Sequence, residues 1–108
     1  MSADTLKQLF DIIESRKGAN GKESYVASLF EKGTSKIAQK VGEEAVETCI
    51  EAIHASKGGD KDALASESAD LLFHLMVLWA DQGLQPDDIM QVLQGRLGTS
   101  GHEEKASR

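Results

Sequence analysis

Two stretches decide the fold: residues 34–57, TSKIAQKVGEEAVETCIEAIHASK, and residues 61–82, KDALASESADLLFHLMVLWADQ, joined by Gly58-Gly59-Asp60. In the first, Ile37, Val41, Ala45, Thr48, Ala52 and Ile53 keep one stripe at helical period, and Gly58-Gly59 supplies a left-handed exit. In the second, Asp60 is placed to cap, and neither Pro nor Gly intervenes before Gly83. Two long helices with so short a link are expected to pack antiparallel.

Outward from this pair, Leu6, Leu9, Phe10 and Ile13 follow the three-and-four spacing of a short helix, expected to be peripheral and ended by the Gly18–Gly21 region. Ser24–Lys32, SYVASLFEK, reads as a second short helix with Ser24 as cap and Gly33 as terminator. Pro86, in QPDD, stands at the first position of a last helix running to about Leu97, with acids in its first turn. No stretch alternates as a strand does. The expected class is all-α: a small helical bundle built on the long antiparallel pair.

The chain has 108 residues, enough for one hydrophobic core, and one domain over 1–108 is expected, with a flexible tail from about residue 98. Twelve basic against eighteen acidic residues give a net charge of −6, which disfavours nonspecific binding to nucleic acid or an anionic membrane surface. The apolar run Leu71–Ala80 is broken by His74 and is about half of the ~20 residues a bilayer span needs. A lone Cys49 and an N-terminus without a signal pattern point to the reducing cytoplasm.

The second long helix is apolar nearly all round. Leu72, Phe73, Met76, Trp79 and Ala80 lie opposite its acidic side, so cover from a homodimer is expected. Cys49 and Trp79 fall at core spacing and read as packing residues.

The chemistry sits in four acids. Glu44 and Glu47 on the first long helix, and Glu67 and Asp70 on the second, are each spaced to share a helix face. Counted outward from the Gly-Gly link, the two pairs differ in height by only ~4 to 5 Å. Carboxylates at a core edge must be protonated, paired or metal-bound, and an all-oxygen cluster suits Mg²⁺, which keeps waters and takes phosphate oxygens. Glu67 and Asp70, on the more apolar helix, carry more of this inference than Glu44 and Glu47. Lys40 and Lys36 lie one and two turns upstream of Glu44, where they would meet phosphate, with Lys32 joining from the preceding turn. Pairing of Lys40 with Glu44 across one turn is the plain alternative. His74 is either a partner that orients a carboxylate or a satisfied core histidine.

GEEAVE at 42–47 followed by ESAD at 67–70 resembles the EExxE and ExxD motifs of the all-α nucleotide pyrophosphohydrolases. SYVASLFEKG, KIAQKVGEEAVE, ESADLLFHL and the terminal EEKASR, over Ser24–Arg108, are similar to the phosphoribosyl-ATP pyrophosphatase family of histidine biosynthesis. That resemblance implies Mg²⁺-dependent hydrolysis of the α,β-phosphate bond of phosphoribosyl-ATP to phosphoribosyl-AMP and pyrophosphate. It assigns Glu44, Glu47, Glu67 and Asp70 as metal ligands and also points to a homodimer. Glu43 or Glu47 is the candidate to activate water, and Lys105 and Arg108 would reach the extra ribosyl phosphate. Some relatives fuse this activity to a zinc-binding cyclohydrolase, for which one cysteine and this length leave no room. Three rivals remain: a house-cleaning nucleoside triphosphatase, a di-iron bundle lacking its Glu-x-x-His, and a non-catalytic helical dimerisation module.

Overall fold

The computed structural model of the chain describes the backbone of residues 2–98 and the side chains of residues 5–98. Five helices follow in order: α1 Ser2–Ser15, α2 Tyr25–Lys32, α3 Thr34–Ser56, α4 Lys61–Asp81 and α5 Pro86–Gly95. No strand occurs among the described residues, so the all-α expectation holds.

The caps are those the sequence offers. Ser24 Oγ accepts the Ala27 N–H at 3.1 Å and starts α2. Gly33, at φ 93°, ends α2 and opens α3, a positive φ that a side chain would strain. Asp60 accepts the Asp62 N–H at 2.8 Å, and Asp88 accepts the Gln85 N–H at 2.8 Å ahead of Pro86.

α3 and α4 form the central hairpin. Thr34 Oγ1 donates to Asp81 Oδ2 at 2.6 Å, tying the start of α3 to the end of α4. Nearer the link, the Thr48 hydroxyl lies 3.2 Å from the Glu67 carbonyl. Both pairs are equidistant from the Lys57–Gly58 link, so the register is antiparallel and unslipped.

The core occupies the end of the hairpin away from its link. Phe10 and Ile13 of α1, Leu29 of α2, Ile37 of α3, and Met76, Val77 and Ala80 of α4 are buried there, with Phe73 and Trp79 packed at the edge. By length and composition α4 is apolar enough to cross a membrane, yet its Met76, Val77 and Ala80 are consumed by this core.

Two expectations are corrected. Helix α1 is not peripheral: Phe10 is 1% and Ile13 0% exposed, because α1 lies across the face of α4 that was expected to wait for a partner. Met76 and Ala80 on that face are covered within the chain. Leu72 on that face stays exposed, and a further apolar surface is bare on α3 beyond the acids, where Val46, Ile50 and Ile53 are about half exposed and Cys49 is exposed too. The α3 stripe therefore runs out of cover as it approaches the link.

If α1 belongs to the core, Phe10→Ala will destabilise the protein by roughly 3–5 kcal/mol in chemical denaturation. Leu97→Ala, at a mostly exposed position, will change stability by about 0.5 kcal/mol or less.

Candidate metal and phosphate site

The acids converge at the seam between α3 and α4, where the cover from α1 and α2 ends. Glu44, Glu67 and Asp70 each offer an oxygen, and these oxygens all lie within 4.8 Å of one another, a group able to hold a metal ion. Glu47 abuts Glu67. The burial order differs from expectation: Glu44, at 8% exposed, is the most enclosed acid, Glu67 is half-buried, and Glu47 and Asp70 are exposed. Glu44 points into the seam toward the hairpin partner, which the apolar character of a single helix does not reveal.

Two oxygens here, Glu44 Oε2 and Glu67 Oε2, are buried without a hydrogen-bond partner among the described residues. A buried carboxylate oxygen with no donor is costly, and a divalent cation satisfies several such oxygens at once. The donor set is all oxygen and anionic, which fits a hard cation. The same crowding acts on protonation. A hydrogen bond shared with Glu47, then desolvation, then the charges of Glu47, Asp70 and Glu44 push the Glu67 carboxyl up to about 6 from 4.5.

In the sequence Thr48 stands out only as a member of the α3 apolar stripe. Its hydroxyl lies 2.8 Å from the Glu44 carbonyl and 3.2 Å from that of Glu67, the main-chain groups of the two inner acids on facing helices. With one proton it favours the nearer, as helical threonines commonly do, while its small side chain lets the helices approach at the height of the acids. A Thr one turn after the first acid was the available signal.

Lys40 Nζ lies 3.2 Å from Glu43 Oε1 and 3.9 Å from Glu44 Oε1. Its ammonium is held above its ordinary pKa, by the Glu43 hydrogen bond first and the nearby Tyr25 second. Glu43 itself turns away from the cluster: hydrogen bonds from Gln39 at 2.8 Å and Lys40, with the charge of Lys36 adding, hold its carboxyl below its ordinary range. Lys36 is half-buried on the same helix, whereas Lys32 is exposed at the end of α2, and no ion pair joins either to the acids among the described residues. Lys105 and Arg108 lie outside the described residues.

His74 is buried and makes two hydrogen bonds. Its Nδ1 donates to the Asp70 main-chain oxygen at 2.8 Å, since a carbonyl can only accept, and its Nε2 pairs with the Tyr25 hydroxyl at 2.9 Å. It therefore steadies the turn that carries Asp70 rather than a carboxylate directly.

A family model described as phosphoribosyl-ATP pyrophosphohydrolase matches residues 6–96. That match takes in α1, ahead of the stretch on which the sequence resemblance rests, and stops short of EEKASR. A protein of Azospirillum brasilense named phosphoribosyl-ATP pyrophosphatase is 58% identical over 108 residues, covering 100% of this chain and 94% of its own. Proteins of the same name from Paramagnetospirillum magneticum (53% over 103 residues, 95% and 91% covered) and Zymomonas mobilis (51% over 108 residues, 100% and 97% covered) are also similar.

A group that binds its proton more tightly when folded stabilises the fold below its unfolded pKa and loses that contribution as pH rises through the folded one. The metal-free protein will therefore lose the Glu67 contribution between pH 4.5 and about 6. In thermal melts without divalent cations, Glu67→Gln will show a shallower fall across that window than wild type. Equal slopes would remove Glu67 as the cause.

Proposed function

The chain belongs to the phosphoribosyl-ATP pyrophosphohydrolase family, and from that premise we propose that its α3–α4 acid cluster is the magnesium site at which phosphoribosyl-ATP is hydrolysed. The chain is a hydrolase, and the reaction is a step of histidine biosynthesis. The observation that carries the siting is the pair of orphaned oxygens, Glu44 Oε2 and Glu67 Oε2, inside a group of converging carboxylates. The whole chain acts as one domain, and the thiol of Cys49 suits a reducing cytoplasm.

Glu44, Glu47, Glu67 and Asp70 would hold Mg²⁺. Bound there, the cation supplies neutralisation of polyphosphate charge and makes water more acidic. The residues do the rest. Lys40, with Lys36 behind it, meets phosphate oxygens; Lys40 leaves Glu43 and Glu44 for them, exchanging one anion for another. Lys32 stands further out on the same approach, and Lys105 and Arg108 are assigned to the additional ribosyl phosphate.

Between Glu43 and Glu47, the surroundings support Glu47 as the group that orients the attacking water and takes its proton. Glu43 is engaged with Gln39 and Lys40, and those bonds weaken it as a base. Glu47 lies among the acids and is open to solvent, where water enters. The water oxygen adds to phosphorus, the α,β P–O bond breaks, and pyrophosphate leaves from phosphoribosyl-AMP.

The depression lined by Ala45, Val46, Cys49, Ile50 and Ile53 has a wholly apolar lining and adjoins the acids along α3. An apolar surface of this kind on a small chain is suited to a second copy, and it replaces the α4 face as the proposed homodimer contact.

Pyrophosphate release from phosphoribosyl-ATP, measured with and without Mg²⁺, tests the site. Glu47→Gln will lower kcat by roughly 10²–10⁴-fold, whereas Glu43→Gln will change it only a few-fold. Absence of any Mg²⁺-dependent turnover would sink the reading, and faster turnover of ATP or a deoxynucleotide would reassign the substrate. For the assembly, Ile50→Glu will reduce the solution mass at micromolar concentration to that of one chain; a monomeric wild type would disprove the dimer.

A further inference from the structure

Tyr25 is turned the wrong way for an ordinary surface tyrosine. A half-buried tyrosine usually presses its ring into the core and leaves its hydroxyl to water. Here the hydroxyl faces inward, 2.9 Å from Nε2 of His74, a residue only 6% exposed, while Tyr25 keeps 52% of its surface in solvent. With the polar end occupied, much of what remains exposed is ring.

That ring is also held still. His74 is fixed by the Asp70 carbonyl on its other nitrogen, so its Nε2 accepts the Tyr25 proton and locks the far end of the phenol. Phe73 stacks at 6.5 Å between centroids and 20° between planes, and the His74 ring meets Tyr25 edge-on at 5.8 Å and 83°. At the near end, the Ser24 cap anchors the backbone of α2 one residue earlier. The result is a flat aromatic surface in water whose orientation is set before any ligand arrives.

Its position gives it a use. The contact through His74 reaches the main chain of Asp70, one of the converging acids, one turn along α4. Tyr25 also lies within electrostatic range of Lys40. Tyr25 thus stands at the rim between the carboxylates and the lysine assigned to phosphate. Every nucleotide carries an aromatic base within a ribose of its phosphates. A rigid ring at the rim stacks such a base with little ordering cost, since no side-chain rotamer has to be frozen on binding.

We propose that Tyr25 is the stacking platform for the purine base of the nucleotide substrate, steadied by His74 and Phe73; the proposal rests on phosphates occupying the carboxylate site. Stacking of this kind is indifferent to hydrogen-bonding edges, so it holds the base without choosing among purines. Selection belongs to other contacts.

The test compares a ligand that has a base with one that has none. Steady-state kinetics on phosphoribosyl-ATP with Mg²⁺ are run for wild type, Tyr25→Leu, Tyr25→Phe and Tyr25→Trp, with inorganic tripolyphosphate as competitive inhibitor and with the solution mass and melting temperature of each variant. Tyr25→Leu is expected to raise KM about 10- to 100-fold, leaving the tripolyphosphate inhibition constant within a few-fold of wild type. Tyr25→Phe and Tyr25→Trp, which keep an aromatic face, will stay within a few-fold of wild-type KM. An unchanged KM in a folded Tyr25→Leu, an equal loss of tripolyphosphate binding, or a change in solution mass would each overturn the proposal. If Tyr25→Leu does not fold, a Tyr25→Phe or Tyr25→Trp protein that melts like wild type yet loses substrate affinity as badly as a ring deletion should overturns it as well. Wild-type protein that ignores tripolyphosphate would refute the phosphate site itself, and the platform with it.

Discussion

Like charges forced together at a helix seam are the constraint on which this structure turns. Oxygens of Glu44, Glu67 and Asp70 lie within 4.8 Å of one another, and two carboxylate oxygens are buried with no donor among the described residues. Left to themselves these groups repel, and a hydrogen bond shared with Glu47, desolvation and the neighbouring charges together raise the Glu67 pKa. The hairpin tolerates it because α3 and α4 are fastened on the far side by a dry core and a Thr34–Asp81 hydrogen bond. A cation would turn the same repulsion into attraction, so the strain and the proposed activity have one origin.

The distribution of apolar cover explains why the acids stand where they do. α1 and α2 cover the end of the hairpin that carries Ile37, Met76, Val77 and Ala80, and the cover stops at about the level of Glu44 and Asp70. A carboxylate deeper in the core would be too costly to ionise, and one nearer the link would be fully solvated and weak as a ligand. The boundary supplies both partial desolvation and access. Its neighbours follow from the same geometry: Lys40 above, Thr48 in the seam, and the Tyr25–His74 pair bracing the Asp70 turn.

Much of this was legible in the chain itself. Ser24, Asp60, Pro86, Gly33 and Gly83 announce helix boundaries through local chemistry that needs no tertiary context, and the structure places helix ends within a residue or two of them. The Glu44, Glu67 and Asp70 positions, together with the short Gly-Gly link, were enough to expect acids of the two helices at nearly one height, since helical rise and antiparallel return are fixed by backbone geometry, and oxygens of these three do meet. The family, too, is written in the sequence.

What the sequence could not decide is which face of each helix meets which neighbour. Periodicity marks α1 as amphipathic but does not reveal that Phe10 and Ile13 fill the space beside Met76 and Ala80, nor that Val46, Ile50 and Ile53 of α3 are left exposed. Nor does it rank the acids: Glu44 is the most enclosed because of what α4 places opposite it, and Glu43 leaves the cluster because Gln39 and Lys40 claim it. Spacing along one helix determined which groups could share a face, because that depends on local geometry alone. Burial, partner choice and the inward turn of Tyr25 depend on contacts between residues far apart in the chain, and only the packed structure sets those.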